Sequence, residues 1–271
     1  MAERPGLTAV RLTVKQIREK KGVEKIAVLT AYDYLFAGLV DQAGLDVVLV
    51  GDSLGMVLLG YESTVPVTMR DMMHHVKAAS RGVKKALVVA DMPFGSYDTP
   101  ERALRNARRF MKEAGADAVK LEGGQAVRPQ VEALVRAGIP VMGHLGLTPQ
   151  SASQLGGYKV QGKTSAQAEE IFKDAVLLDK LGAFAIVLEC VPAKLAGRIT
   201  QEVCCPTIGI GAGAATDGQV LVLTDMLGFR GQVQPKFVRA YAELGKAAAK
   251  AFAQYRSDVV KGKFPSADES Y

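Results

Sequence analysis

Short β-rich apolar runs in this chain keep ending in the same way. Val47-Val-Leu-Val is followed by Gly51, Asp52 and Ser53, Leu87-Val-Val-Ala closes on Asp91, Ala118-Val-Lys-Leu on Glu122, and Ala185-Ile-Val-Leu on Glu189. Pro140-Val-Met-Gly closes on His144. A buried strand needs a reason to end in a charge. If the strands are parallel, their C-terminal ends converge, and in a closed (β/α)8 barrel the place of convergence is the mouth, where the loops after the strands build a site. Helix capping and solvation would explain an acid at any single strand end, but the repetition over four ends weakens that explanation.

The rest of the chain fits the same alternation. After a loose segment at residues 1–10, residues 14–21 predict a short basic helix stopped by Gly22 and covering the bottom of the barrel. Strands are expected at residues 26–31, 47–50, 86–90, 117–121, 140–143, 183–188 and 207–210, with an eighth at 220–223 that carries the weakest signal. Between them fall helices at 32–43, 69–81, 100–114, 124–138, 165–181 and 193–203, and an alanine-rich helix at 236–255 closes the barrel. Glycines stop several of these helices, and Thr99-Pro100 opens one as a cap followed by proline. Asp33 reads as a cap. His74 and His75 are adjacent on one helix, point about 100° apart and cannot chelate one metal together, so they read as structural. Each strand-to-strand interval leaves room for a crossover helix. Residues 145–163 follow neither period, and a loop that long tends to be a lid or a binding loop. One domain spanning 1–271 suits a barrel of about 250 residues.

The net charge of +6, from 34 Lys+Arg against 28 Asp+Glu, is scattered along the chain. Without a basic patch or a recognisable module, the sequence gives no support for a nucleic-acid partner, whereas an anionic small molecule suits the sign. Cys190, Cys204 and Cys205 lack metal-site spacing and read as reduced thiols of a cytoplasmic protein. The opening Met-Ala-Glu-Arg-Pro-Gly has no signal-peptide core, and no run reaches the roughly 18 apolar residues of a membrane span.

Asp52, Asp91 and Glu122 end successive strands, and bare anions crowded together repel or protonate. A hard divalent cation resolves the conflict, and oxygen ligands favour Mg2+ over zinc. Ser53 adds a hydroxyl and an N–H beside it. Lys120 shares a strand face with Glu122, so its ammonium enters the mouth to pair with a carboxylate of substrate or of the protein. Glu189, preceded by four apolar residues and followed by Cys190-Val-Pro, is the candidate proton acceptor. A cation holding a 2-oxo acid would polarise its carbonyl and stabilise the enolate left by proton loss, as in class II aldol chemistry. The Gly209-x-Gly-x-Gly213 run fits a phosphate cradle, a tight turn or a close backbone approach equally well.

Taken together, Leu29-Thr-Ala-Tyr-Asp-Tyr, Val50-Gly-Asp-Ser-Leu-Gly-Met, Ala90-Asp-Met-Pro-Phe, Val119-Lys-Leu-Glu-Gly-Gly, Gly143-His-Leu-Gly-Leu-Thr-Pro-Gln, Gly156-Gly-Tyr-Lys-Val-Gln-Gly, Leu188-Glu-Cys-Val-Pro, Gly209-Ile-Gly-Ala-Gly and Thr216-Asp-Gly-Gln closely resemble the ketopantoate hydroxymethyltransferase family, in the right order and over nearly the whole chain. The resemblance implies a (β/α)8 barrel that transfers a hydroxymethyl group from 5,10-methylenetetrahydrofolate to 3-methyl-2-oxobutanoate, giving 2-dehydropantoate for pantothenate and coenzyme A synthesis. At matching positions it implies Asp52 and Asp91 on Mg2+ with Glu122 completing the site, Asp52, Ser53, Asp91 and Lys120 on the keto acid, and Glu189 as proton acceptor. It leaves His144 without an assigned role and implies a homodecamer of two stacked rings. Thr224 stands where the family often has histidine, and Asp268-Glu-Ser-Tyr271 departs from its usual tail. A Mg2+-dependent carbon–carbon lyase or mutase of the phosphoenolpyruvate mutase/isocitrate lyase type is the rival enzyme, and it predicts no dependence on folate. A keto-acid sensor without turnover is the rival binding protein, and it would have no use for a proton acceptor.

Overall fold

The apolar runs become eight parallel strands closed in sequence order into a barrel, in a computed structural model that describes residues 11–229 and 235–271. The strands are β1 (Ile26–Thr30), β2 (Val47–Val50), β3 (Leu87–Asp91), β4 (Ala118–Glu122), β5 (Val141–Gly146), β6 (Ala185–Glu189), β7 (Thr207–Ile210) and β8 (Gly218–Leu221). β2, β3 and β4 are buried at every position, as expected where a parallel sheet is covered on both faces. The helices are α1 (Val14–Glu19), α2 (Tyr34–Gln42), α3 (Leu54–Val57), α4 (Met69–Gly82), α5 (Pro100–Arg109), α6 (Arg128–Arg136), α7 (Ser165–Lys180), α8 (Ala193–Glu202), α9 (Leu223–Met226) and α10 (Leu244–Val260). Thr13, Asp33, Thr68, Thr99 and Thr164 cap five of them by accepting a backbone N–H two or three residues inside. Asp33 is therefore the cap its position suggested.

The differences from expectation are local. β3, β4 and β5 run on to include Asp91, Glu122 and His144, so these residues sit in the ladder itself and not beyond it. β8 lies two residues earlier than expected. Its Gly218 pairs with Ile26, and a Cβ there would come 2.4 Å from the Ile26 carbonyl, so only glycine permits that approach. Leu223, expected inside the strand, opens α9 instead. The last helix starts at Leu244, not Lys236, and lies in a second compact unit, Val222–Tyr271, while the eight strands belong to the unit ending at Leu221. Residues 1–10, expected to be loose, lie outside the described residues. No helix among the described residues is long and apolar enough to cross a membrane.

The floor of the barrel shows what its aspartates do when they are structural. Asp46, Asp117 and Asp217 each precede a strand and accept the N–H of a neighbouring strand residue, from Ala27 at 2.8 Å, Val88 at 2.9 Å and Thr207 at 2.9 Å. Each also meets a cation from the N-terminal segment: Lys20 at 2.8 Å, Arg11 at 3.2 Å and Lys21 at 2.9 Å, respectively. Arg18 donates to the Ala183 carbonyl just before β6. The basic segment around α1 thus fastens the N-terminal ends of the strands, at the bottom of the barrel it was expected to cover. Asp41 on α2 holds the turn into β3 by accepting from Lys84, Lys85 and Ala86 at 3.0, 2.8 and 2.7 Å.

Candidate active site

The ladder register places the site. Asp91 on β3 lies directly across from Lys120 on β4, and Glu122 lies across from His144 on β5. Because side chains two apart on a strand share a face, Lys120 and Glu122 enter the barrel together. The Lys120 ammonium reaches Asp91 Oδ1 at 2.8 Å and His144 Nδ1 at 3.2 Å. His144 Nδ1 is also 3.5 Å from Glu122 Oε1, while its Nε2 faces Glu189 Oε2 at 3.2 Å. One imidazole therefore stands between two acids expected to have different tasks.

Asp52 follows β2 and closes the ring of contacts, its N–H donating to Asp91 Oδ2 at 3.3 Å. Ser53 stands at its shoulder with its hydroxyl 3.0 Å from that of Tyr32. The six ionisable groups expected from the sequence to surround one volume, Asp52, Asp91, Lys120, Glu122, His144 and Glu189, are thus linked through direct contacts. All but Glu189 are nearly fully buried, and the Glu189 side chain keeps 17% of its surface accessible. Glu189, flanked by apolar residues in the sequence, is thus only partly desolvated.

Local backbone explains how Glu189 reaches this position. Gly146 pairs with it in the ladder, has φ +91°, and would bring a Cβ within 2.2 Å of the Glu189 carbonyl. No other residue lets β5 turn away so close to the end of β6. On the far side of Glu189, Cys190 adopts φ +47°, a left-handed conformation rare for a residue with a side chain. Such conformations cost about 1–3 kcal/mol and persist where the surroundings demand them.

The charges do not balance. Four carboxylates share one ammonium and one imidazole. Burial first, then repulsion from Asp91 and Glu122, pushes the Asp52 carboxyl well above the ordinary range. Burial works against the charged form of Lys120, but Asp91, Glu122 and Asp52 outweigh it and keep the ammonium protonated. Burial and the Lys120 charge act against protonation of His144, yet its contacts with Glu122 and Glu189 raise it to about 9. Among the described residues, no three His, Cys, Asp or Glu side chains form a ready-made metal cluster; several of the oxygens are already engaged by Lys120 and Gln150. Glu122 Oε1, however, is buried with no polar contact among the described residues closer than His144 Nδ1 at 3.5 Å, and the donors are hard oxygens carrying excess negative charge. Both features suit a hard cation.

Gln150 and Tyr97 are the residues that the sequence did not reveal. Gln150 binds Asp52 and Glu122 directly, and Tyr97 binds Gln150. Neither ends a strand, and amides and phenols in loops carry no periodic signal; the hints were the unpatterned length of the loop after His144 and the place of Gln150 at the end of a family-resembling run, which came without a role. The glycine run after β7 shows close packing: a Cβ at Gly209 would come 2.7 Å from Thr216 Oγ1, and one at Gly213 2.6 Å from Ala193 Cβ. His75 bonds the Tyr32 carbonyl at 2.7 Å and His74 is exposed, in keeping with structural roles.

Comparison with known proteins adds to this geometry. The sequence profile of the family described as ketopantoate hydroxymethyltransferase matches residues 11–267. The chain is 57% identical over 264 residues to 3-methyl-2-oxobutanoate hydroxymethyltransferase of Syntrophus aciditrophicus, covering 96% of this chain and 97% of that one. It is 58% identical over 273 residues to the protein of that name from Moorella thermoacetica, covering both in full. Among solved structures, 2,3-dimethylmalate lyase, a member of the phosphoenolpyruvate mutase/isocitrate lyase superfamily, matches with a TM-score of 0.59 at 18% identity, over 98% of this chain and 93% of its own. Phosphonopyruvate hydrolase in complex with oxalate and Mg++ matches at 0.61 and 14%, over 95% and 93%. At such identities the structural likeness shows the fold alone.

Proposed function

We infer the roles of the site residues from one premise: the chain belongs to the ketopantoate hydroxymethyltransferase family. Its activity is that of a 3-methyl-2-oxobutanoate hydroxymethyltransferase in pantothenate biosynthesis, with 5,10-methylenetetrahydrofolate as the co-substrate that this identity implies. In our reading the keto acid enters the barrel mouth against Asp52, Ser53, Asp91 and Lys120, and Asp52 and Asp91, with Glu122, hold Mg2+. The hard-oxygen donors at the mouth and the surplus of carboxylates over cations support that assignment. A bound magnesium ion would supply Lewis-acid polarisation of the keto group.

Glu189 then takes the proton from C3 of the keto acid, and the enolate carbon bonds the methylene carbon of 5,10-methylenetetrahydrofolate as both of its bonds to the folate nitrogens break; water supplies the hydroxyl oxygen, and tetrahydrofolate leaves. Its partial exposure leaves the carboxylate open to the mouth, while His144 Nε2 at 3.2 Å orients it. Lys120, kept protonated by three acids, offsets part of the negative charge of the substrate carboxylate and of the ring of acids. The observation that carries this reading is the single chain of contacts from Asp52 through Asp91, Lys120 and His144 to Glu189.

Deuterium exchange at C3 of 3-methyl-2-oxobutanoate in D2O, followed by NMR with Mg2+ or EDTA, tests it. Exchange that needs Mg2+ and falls by about two orders of magnitude or more in Glu189→Gln is expected of a general base. Undiminished exchange in that variant would overturn the role of Glu189. We also propose a homodecamer, for which the exposed Tyr34, Leu35 and Leu39 on α2 provide apolar surface to cover.

A further inference from the structure

The reaction scheme makes no use of Gln150, yet its side-chain amide is fully engaged. Nε2 donates to Asp52 Oδ2 at 2.8 Å and to the Met92 carbonyl at 2.9 Å, and Oε1 accepts from the Tyr97 hydroxyl at 2.6 Å. Its backbone N–H donates to Glu122 Oε2 at 3.1 Å. An amide has two N–H groups and one carbonyl oxygen to spend, and all are committed here in a residue that is 4% exposed.

The arrangement has a direction. The Tyr97 hydroxyl is the donor in its 2.6 Å bond to the amide oxygen. The amide oxygen must therefore face Tyr97, which leaves only the nitrogen to face Asp52. Flipping the amide would set its oxygen against the Asp52 carboxylate. Pro149 opens the short 3-10 turn Pro149–Ser151, and its fixed φ holds the next N–H ready for Glu122. One oxygen of Asp52 and one of Glu122 are thereby taken, which leaves Asp52 Oδ1, and Glu122 Oε1 with only its 3.5 Å approach to His144 Nδ1, to face a ligand.

We propose that Gln150 is a positioning residue that selects which oxygen of Asp52 and of Glu122 faces the ligand, with Tyr97 fixing the orientation of its amide. This rests on the reading of Asp52 and Glu122 as the acids that face Mg2+ and substrate. It assigns the start of the loop after β5 a task that loop length alone did not specify: residue 150 is the point at which this loop is tied to the ends of β2 and β4.

The test compares Gln150→Met, which keeps the bulk and loses the donors, with Tyr97→Phe, which keeps the amide and loses its lock, and with Asp52→Asn. Calorimetric titration with Mg2+ alone reads the acids without turnover, circular dichroism checks the fold, and kcat and KM are measured separately at saturating Mg2+. Gln150→Met is expected to weaken Mg2+ binding by about tenfold or more, the ordinary worth of a charge-assisted hydrogen bond. It should also lower kcat more than it raises KM for the keto acid, and Tyr97→Phe should shift both in the same direction by less. Wild-type Mg2+ affinity and kcat in Gln150→Met would show that the residue only fills space and would overturn the proposal. If Asp52→Asn weakens binding while Gln150→Met does not, the role of Gln150 alone fails. If both variants bind Mg2+ as the wild type does, the acid assignment beneath it fails.

Discussion

Lys120→Met keeps most of the side-chain bulk and removes the ammonium that meets Asp91 at 2.8 Å, in a pair whose side chains are only 4% and 2% exposed. At an effective dielectric of about 20, two unit charges at that separation attract by about 6 kcal/mol. Desolvation of the buried lysine offsets part of this, and breaking one side of such a pair costs about 3–5 kcal/mol. Partial protonation of the remaining acids keeps the loss within that range. Urea unfolding at neutral pH in EDTA should therefore show Lys120→Met less stable by about 3–5 kcal/mol. Because the folded-state pKa of Lys120 is raised, its contribution is fully present below the unfolded value of about 10.4 and is lost as pH rises through the folded value. Repeating the unfolding with Mg2+ adds a second expectation: a cation that binds only the folded state stabilises it by mass action, and a site stripped of its ammonium should gain more from it than the wild type. A difference in EDTA below about 1 kcal/mol, the value of a screened surface pair, would refute the account of the mouth as a buried, charge-unbalanced cluster.

Asp41→Ala removes the acceptor of three N–H groups in the turn into β3 and should cost about 2–4 kcal/mol in urea unfolding at neutral pH. Burial pushes this carboxyl up, but the three N–H donors outweigh it and hold it below the ordinary value. The stability it supplies is thus present above an unfolded pKa of about 3.9 and disappears as pH falls through the folded value, so the gap between variant and wild type should narrow at pH 3. An unchanged gap there would be inconsistent with a charge-assisted bond. Sedimentation velocity of the full chain is expected to give a homodecamer; a monomer or dimer across the concentration range would remove that assembly.

The sequence displayed what is periodic and concealed what is not. Eight strands were legible because each is a short apolar run, and Asp52, Asp91, Glu122 and Glu189 stood out because each interrupts the end of such a run. The ends of β3, β4 and β5 were placed too early for the same reason: a charge reads as a stop, although a barrel with a polar mouth carries its ladder through Asp91, Glu122 and His144. β8 was misplaced because Gly218 and Gln219 have no strand propensity of their own, and pairing with β1 overrides it. The last helix was drawn from its alanine content, which gives no sharp start. Gln150 and Tyr97 stayed hidden because their importance comes from contacts 98 and 53 residues apart in the chain.

The barrel offers its own control for the claim that acids at strand ends mean chemistry. At the floor, Asp46, Asp117 and Asp217 also sit at strand ends, and each accepts a strand N–H and meets its own cation. There the charge is matched group by group, and the role is to fasten backbone. At the mouth, four acids share one ammonium and one imidazole, and Asp52 is pushed well above its ordinary range. A fold gains nothing from that imbalance, because buried unpaired charge is costly. Within the chain it is relieved only in part, by the raised Asp52 carboxyl, and a bound cation or substrate would complete it. Residue type is the same at both ends of the barrel, so the distinction lies in whether the charge is locally satisfied.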